Sequence, residues 1–288
     1  MIDLPRTEPV ALAPETFLIT NLYPAGPSVF LPVCSMLIRG AQPVIIDTGA
    51  PIHRELWLEQ MFTLVDPEDV RWIFLSHDDG DHTGALYEVL ERCPQATLIA
   101  NFFTTERLAL ERGLPLDRMI WREQGDVIEI GDRRLRLIVP PIFDGPTTRG
   151  VLDESTGAMW AVDSFAAMTT GQGFACGDIP VDLYDETFSL LNSLISPWHQ
   201  WLDPRRYDAH IASVQELEPS VVANAHGPVY RGTEIDTAFG RVREMAGAPL
   251  VPRPGQETLD EMLAATLVAG PAMPAQAMPV DVPASLRT

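Results

Sequence analysis

The stretch Trp72-Ile-Phe-Leu-Ser-His-Asp-Asp-Gly-Asp-His-Thr-Gly84 places four side chains that commonly bind metals at the end of an apolar run. The apolar residues predict a buried strand, and the polar residues after them predict a glycine-containing turn. His77, Asp79 and Asp81 alternate along the chain, so an extended or turning backbone sends them to one side, and the adjacent His82 can serve a second ion. Imidazole and carboxylate groups suit iron, manganese or zinc. The stretch predicts a metal site. The structural alternative is a strand-to-helix turn in which Asp81 or Thr83 caps the next helix and the histidines hydrogen-bond locally.

The composition indicates a globular protein with an acidic surface. The chain has 288 residues, of which 46% are hydrophobic and 21% charged, enough for one large domain or two small ones with ample core. Its 20 Lys and Arg against 40 Asp and Glu give a formal net charge of -20. Because such a field repels phosphate backbones and anionic lipid surfaces, we expect neither a nucleic acid nor a membrane as a partner.

Targeting signals and cysteine usage point to a reducing compartment. The sequence has no apolar run of about 18 residues, the length that a membrane helix requires, and its N-terminus lacks the apolar stretch of a secretory signal. Cys34, Cys93 and Cys176 lie far apart and form no Cys-x-x-Cys pair, so we expect reduced thiols rather than disulfides or a thiolate metal site. These features predict a cytoplasmic protein.

Three other predicted strands also end in a side chain that can bind or support a metal. These side chains are Asp47, Asp163 and His226. Strand ends of this kind can converge at one rim of a β-sandwich, where loops carry the chemistry on a rigid scaffold. We expect His53, in the first turn of a predicted helix, to lie at the surface instead.

The order of the predicted elements favours two packed sheets with helices outside, because strands occur in two groups that are each followed by helices. One domain is predicted for residues 1–248, and a C-terminal helix with a Pro- and Ala-rich tail for 249–288. Predicted helices cover residues 52–65, 85–92, 104–112, 184–195, 205–217, 233–245 and 257–268. Predicted strands, besides the opening stretch, cover residues 17–23, 33–38, 44–49, 97–101, 159–163 and 221–228, with a hairpin over 127–139.

Taken together, Ile46-Asp-Thr-Gly49, the cluster at residues 77–82, Asp163 and the closing His226-Gly-Pro228 resemble the metallo-β-lactamase superfamily. The resemblance covers roughly residues 15–245. It implies an α/β fold, a four-layer αββα sandwich, with a dinuclear metal site at one edge.

The residue at position 79 separates two branches of this superfamily. Zinc hydrolases usually carry the pattern H-x-H-x-D-H, whereas Asp79 stands here in place of the second histidine. A carboxylate at this place is similar to the H-x-E-x-D-H pattern of oxygen-binding di-iron proteins and of the di-iron domain of flavodiiron proteins. Asp79 is one methylene shorter than their glutamate. The segments at residues 76–86 and 223–229 resemble that branch as well.

The resemblance implies two metals, of which one binds His77 and Asp79, the other binds Asp81, His82 and His226, and Asp163 bridges both. The family places a further histidine in the loop before the bridging strand. This chain has no histidine between His82 and His199, and Asp144 stands nearest to that position. If Asp144 binds, its metal has one histidine and three carboxylates, a hard set that disfavours zinc relative to iron or manganese. If Asp144 points away, that metal is under-coordinated.

Two further side chains are candidates for roles beside the metals. The Asp47 carboxylate can accept the second ring N–H of a metal-bound histidine, which orients the ring and raises its basicity, although a helix cap or turn acid is the alternative. His199 lies between Trp198 and Trp201 in the sequence. It either lines the pocket or belongs to a packed aromatic cluster.

The resemblance implies a dinuclear non-haem metal protein, with iron favoured over manganese or zinc, that binds, senses or reduces dioxygen or a related small oxidant. Asp79 and Asp81 are the predicted catalytic carboxylates. Only residues 250–288 follow Pro249, too few for a flavin domain, so we expect no intrinsic flavin and an external electron-transfer partner. A homodimer is left open.

The alternative function is metal-dependent hydrolysis of an ester, lactone or thioester by a metal-bridging hydroxide, with Asp79 as an altered zinc ligand. A third alternative is a binding or scaffold protein that keeps the fold and has lost the chemistry at Asp144.

Overall fold

The apolar segments of the sequence form two β-sheets that pack face to face. The computed structural model describes residues 5–26, 28–171 and 173–269. Helices cover the outer face of each sheet, which gives the four layers of the αββα sandwich. The predicted fold class is therefore confirmed.

The first sheet has seven strands in chain order: β1 (Val10–Ala13), β2 (Thr16–Gly26), β3 (Val29–Ile38), β4 (Val44–Ile46), β5 (Trp72–Phe74), β6 (Thr97–Ala100) and β7 (Met119–Trp121). The pairs from β1 to β4 are antiparallel, whereas those from β4 to β7 are parallel. Val44 pairs with Trp72 and Ile46 with Phe74, so β4 and β5 end at the same edge of the sheet.

The second sheet has six strands: β8 (Val127–Ile130), β9 (Arg133–Ile138), β10 (Gly150–Asp153), β11 (Ala158–Trp160), β12 (Val221–Ala223) and β13 (Tyr230–Arg231). Their spatial order is β13-β12-β11-β10-β9-β8. The pair β11 and β12 is parallel and the other pairs are antiparallel. The carboxyl ends of β11 and β12 therefore also meet at one edge.

The helices fill the connections between these strands. They are α1 (Arg54–Leu64), α2 (Gly80–Thr83), α3 (Leu86–Arg92), α4 (Phe102–Ala109), α5 (Val181–Ile195), α6 (Pro204–Gln215), α7 (Thr233–Arg243) and α8 (Gln256–Ala269). Short 3-10 turns occur at Pro51–His53, Leu116–Arg118, Cys176–Asp178 and Pro197–Trp201.

Three apolar clusters hold the layers together. Side chains from both sheets form the central one, including Met36, Phe74 and Trp160. Trp57 of α1 belongs to a second cluster between the first sheet and its helices, and Phe188 of α5 to a third on the outer face of the second sheet. Burial of such large side chains contributes roughly 1.5–3 kcal/mol each, so this packing fixes the loops at the sheet edge on a rigid base.

Several element boundaries differ from those predicted from the sequence. Strands β1, β7 and β13 were not predicted; each is short and lies at a sheet edge, where periodicity gives a weak signal. Helix α4 begins at Phe102 rather than Thr104, because the Asn101 side chain accepts a hydrogen bond from Thr104 N and caps the helix. The predicted hairpin over 127–139 is confirmed, and residues 270–288 of the predicted C-terminal helix and tail lie outside the described residues.

The prediction of a surface position for His53 was wrong. The side chain is 1% exposed, and its Nε2 lies 3.2 Å from the carbonyl oxygen of Leu22. Burial lowers the pKa of this imidazole, which favours the neutral ring.

Within the described part of the chain, no helix combines the length and apolar character needed to cross a lipid bilayer.

Candidate metal centre

Polar side chains follow four strands of the two sheets at the edge where parallel neighbours end. Asp47 comes directly after β4, and His77 lies in the loop after β5. Asp163 follows β11 and His226 follows β12. Because the members of each parallel pair end together, the loops of both sheets can bring these side chains to a common site.

Close contact between two loops shapes the first half of this site. Thr48 N donates to the carbonyl of His82 at 2.7 Å, and Gly84 N donates to the carbonyl of Gly49 at 2.7 Å. A Cβ at position 84 would collide with the backbone of Ala50. Glycine at this position therefore lets α2, which carries His82, pack directly on the loop after β4.

The structure brings together all seven side chains that the sequence nominated as metal ligands; we term them the ligand cluster. They fall into three overlapping groups, in each of which one potential ligand atom per residue lies within 4.8 Å of the others. The groups are His77, His82 and Asp163; Asp81, His82 and His226; and His77, Asp79 and Asp144.

Asp163 stands between the groups. Its Oδ1 lies 3.2 Å from Nε2 of His82 and 3.5 Å from Nε2 of His226. Its Oδ2 lies 3.4 Å from Nε2 of His77. The two carboxylate oxygens thus face different histidines, as a carboxylate that bridges two metals must.

Asp47 contacts His82 on the side of the ring that faces away from Asp163. Its buried carboxylate accepts hydrogen bonds from Ser76 N at 2.8 Å, Ser76 Oγ at 2.6 Å and Trp160 Nε1 at 3.0 Å. Its Oδ2 also lies 2.9 Å from Nδ1 of His82, which assigns the proton of the neutral ring to Nδ1. The Nε2 lone pair of His82 is consequently free to face Asp163.

The other two histidines of the cluster are oriented in a similar way. Nδ1 of His226 lies 3.0 Å from the carbonyl oxygen of Pro32, which can only accept, so this nitrogen donates. Nε2 of His226 then faces Asp81 Oδ2 at 3.2 Å. Nδ1 of His77 contacts Ser76 Oγ at 3.2 Å. Fixing the outer nitrogen in this manner prepares the inner nitrogen for a metal.

Three atoms at the centre of the cluster are buried and have no hydrogen-bond partner among the described residues: Nε2 of His77, Nε2 of His82 and Oδ1 of Asp163. Buried polar atoms without partners are costly and rare in folded proteins. Imidazole nitrogens and carboxylate oxygens that converge at these distances fit a pair of divalent cations, so the donor set passes this test for a dinuclear metal site.

Electrostatics within the cluster couple histidines to carboxylates. Burial opposes the charged form of His82, but Asp47, Asp163 and Asp81 outweigh this effect and raise the pKa of His82 well above its usual range. Burial likewise opposes ionisation of Asp163, yet His77 and His82 hold its pKa well below the ordinary value. A metal cation competes with these histidine protons for the same lone pairs.

The carboxylates of Asp79 and Asp144 lie nearer to solvent. The Asp79 side chain is half-exposed, and its Oδ2 lies 3.7 Å from Nε2 of His77. Asp144 is partly exposed, and its Oδ1 accepts a hydrogen bond from Thr148 Oγ1 at 2.6 Å. Asn101 donates to the carbonyl of Thr147 at 2.8 Å, which anchors the loop that carries Asp144.

His199 does not line the pocket at the metal site, which is one of the two positions predicted for it. Its Nδ1 bonds the carbonyl oxygen of Met245 at 2.8 Å, and its Nε2 contacts Ser193 Oγ at 3.2 Å. The ring lines a cavity of about 380 Å³ between α5 and the segment after α7, and the lining of that cavity includes none of the ligand cluster. The aromatic alternative also needs correction, because Trp201 is 77% exposed and Trp198 packs on Phe143 instead.

Two side chains that support the site had not been singled out from the sequence. Ser76 bonds Asp47 through both its amide and its hydroxyl, and Trp160 donates its indole N–H to the same carboxylate. A serine directly before His77 is a readable signal. Nothing in the sequence marks Trp160, because its role arises when the second sheet packs on the first.

Comparisons with known proteins agree with this architecture. Residues 29–176 match the Metallo-beta-lactamase superfamily. Putative diflavin flavoprotein A 3 of a Nostoc strain is 27% identical over 219 residues, which cover 73% of this chain and 35% of that protein. The chain spans about a third or less of the length of the first curated relatives that it matches.

Two solved structures share the fold. The flavodiiron protein from Giardia intestinalis gives a TM-score of 0.71 at 16% identity, covering 84% of this chain and 60% of that one. Rubredoxin oxygen:oxidoreductase from Desulfovibrio gigas gives 0.69 at 14% identity, covering 82% and 61%. Since the superfamily match extends over about half of the sequence and the two-sheet architecture agrees, this chain belongs to the metallo-β-lactamase superfamily.

Proposed function

We propose that the ligand cluster holds two iron ions and that the protein binds, senses or reduces dioxygen or a related small oxidant. The observation that carries this proposal is the position of Asp163, whose two oxygens face His77 on one side and His82 on the other. The ring nitrogens that it faces are buried and unpartnered. A pair of iron ions bound here would supply electrons to a small oxidant.

The donor set supports iron over zinc. Carboxylates and imidazoles make up the cluster, without a thiolate, and Asp79 occupies the place where zinc hydrolases of the superfamily usually carry histidine. Carboxylate-rich sets favour harder cations. The relatives named as flavoproteins and the solved structure named as an oxygen:oxidoreductase also favour redox chemistry over hydrolysis.

We assign Asp79 and Asp81 to proton handling at the mouth of the site. Both carboxylates are more exposed than the histidines that they face. The nearby imidazole of His77, whose Nε2 lies 3.7 Å from Asp79 Oδ2, lowers the pKa of Asp79. Burial opposes ionisation of Asp81, but His82 and His226 depress its pKa strongly. Both groups therefore stay ionised at neutral pH, and as acceptors they can orient the water molecules that deliver protons for reduction of an oxidant.

Electrons would come from a separate electron-transfer partner. This proposal is supported by the flavoprotein names of relatives of which this chain spans about a third or less. Electron delivery by a reductase and assembly as a homodimer both stay predictions.

The proposal is tested on protein purified without oxygen. We expect two irons per chain and an absorption spectrum that changes on exposure to dioxygen, with oxygen consumption when an artificial reductant is present. The control is the Asp163→Ala variant, in which oxygen consumption should disappear. Two zinc ions with hydrolysis of a model ester or lactone, or less than one metal per chain, would contradict the proposal.

A further inference from the structure

The ligand cluster divides into two sets of unlike chemistry. We term His77, Asp79 and Asp144 the outer set, and Asp81, His82 and His226 the inner set. Asp163 contacts histidines of both sets. With Asp163 included, the outer set offers one imidazole and three carboxylates, whereas the inner set offers two imidazoles and two carboxylates.

The two sets also differ in exposure. His82 is 0% and His226 is 8% exposed, whereas the Asp81 side chain is 36% exposed, so a metal held by the inner set would have buried histidines on one side and solvent near Asp81. In the outer set only His77 is buried, while Asp79 is half-exposed and Asp144 is partly exposed. A metal in the outer set would exchange with solvent more readily.

Asp144 is held in place for binding. Thr148, itself buried, donates to Oδ1 of Asp144, which orients the carboxylate. The amide of Arg149 donates to the carbonyl of Ser76 at 2.7 Å, which ties this loop to the loop that carries His77. Hydrogen bonds within the fold therefore position Asp144, the third carboxylate available to the outer set.

Different donor sets select different metals. Iron(II) binds nitrogen-containing sites more tightly than manganese(II), in keeping with the general order of divalent metal affinities, and carboxylates suit manganese better than imidazoles do. The preference for iron over manganese is therefore larger at the inner set than at the outer set. When both metals are present and iron is limiting, iron fills the inner set first.

We propose that the two positions differ in metal selectivity, with the outer set discriminating less against manganese(II) than the inner set, and that Asp144 determines this difference. The inference rests on the proposed dinuclear centre and specifies how strongly each half selects iron. It predicts that the two positions become alike when Asp144 is replaced by histidine, because each set then offers two imidazoles and two carboxylates.

The test is a metal competition on the full chain. Metal-free protein receives the same excess of iron(II) and of manganese(II) over its metal positions under anaerobic conditions, and metal content is measured by mass spectrometry after removal of free ions. We expect two metals per chain, with more iron than manganese, and an electron paramagnetic resonance spectrum of manganese coupled to iron. Asp144→His should lower the ratio of manganese to iron by about tenfold.

Two further variants keep this test decisive. Asp144→Asn, which preserves shape and removes the charge, should lose manganese and keep about one iron. The surface variant Asp117→Asn should retain both metals, which excludes adventitious manganese on acidic side chains. Two irons and no manganese in the unmodified chain, or an unchanged ratio in Asp144→His, would overturn the inference while leaving the dinuclear centre intact. Retention of neither metal would overturn the proposed function as well.

Discussion

His77 and His82, which are buried at the sheet edge, differ from the buried His199 in what their ring nitrogens contact. His82 places Nδ1 against the carboxylate of Asp47, and its Nε2 has no hydrogen-bond partner. Nε2 of His77 is likewise buried and unpartnered. Each ring is held from behind and presents a lone pair toward Asp163.

His199 is as buried as these rings but is satisfied on both sides. Its nitrogens contact the Met245 carbonyl and the Ser193 hydroxyl, so no lone pair is left for a metal. Burial and residue type therefore do not distinguish a ligand from a structural histidine. An unpartnered second nitrogen does so only when it also lies in a group of ligand-type atoms, because the buried Nδ1 of His53 is unpartnered as well and belongs to no such group among the described residues.

The largest expected effect comes from removing the carboxylate shared by both sets. Asp163→Ala should lose both metals, because each position loses a ligand and the two cations then repel each other without the bridging charge. Metal content per chain measures this loss, and the surface variant Asp117→Asn serves as the control. Retention of two tightly bound metals would contradict the bridging role of Asp163.

A smaller effect is expected from the carboxylate behind His82. Asp47→Asn places an amide among the donors of Ser76, Trp160 and His82, so the imidazole loses its orienting acceptor. Metal affinity should fall by about 10- to 100-fold. Competition with a chelator measures the affinity of each position. Unchanged affinity in the folded variant would show that Asp47 acts only in packing.

The matching change at the other histidine should leave the metals in place. His199→Ala removes two hydrogen bonds and lowers the free energy of unfolding by about 1–3 kcal/mol, while metal content stays unchanged. Urea denaturation and metal analysis on the same preparation measure both quantities. Loss of metal in the folded variant would show that His199 supports metal binding, as the histidines of the ligand cluster are proposed to do.

A modest pH effect should distinguish metal-free from metal-loaded protein. In the metal-free chain the folded pKa of His82 is raised, so its protonation adds stability that is complete below about pH 6.5 and is lost as pH rises through the folded pKa. Metal-free protein should therefore melt at a lower temperature at about pH 8.5 than at about pH 6.5. Metal-loaded protein should show no such decline, since the metal replaces the protons. Equal trends in both forms would argue against metal binding at His82.

Much of the fold and cluster was readable because each ligand-type side chain follows an apolar strand. Asp47, Asp163 and His226 are far apart in sequence, yet all lie at strand ends that converge. The two-layered arrangement of sheets followed from strands occurring in two groups. The ligand assignments themselves stay predictions until metal binding is measured.

What the sequence could not reveal depends on long-range packing. The burial of His53 is set by β2, whose Leu22 carbonyl contacts its ring, and periodicity within its own helix carries no sign of that contact. The same holds for Trp160, which reaches Asp47 from the other sheet. The position of His199 likewise depends on the segment after α7, which lies far along the chain.

The most direct test of the dinuclear centre is electron paramagnetic resonance of the iron-loaded protein after one-electron reduction. If Asp163 bridges two ions, the spectrum should contain the signal of a spin-coupled mixed-valence pair, and Asp163→Ala should lack it. A spectrum of uncoupled, mononuclear iron in the unmodified chain would contradict the account.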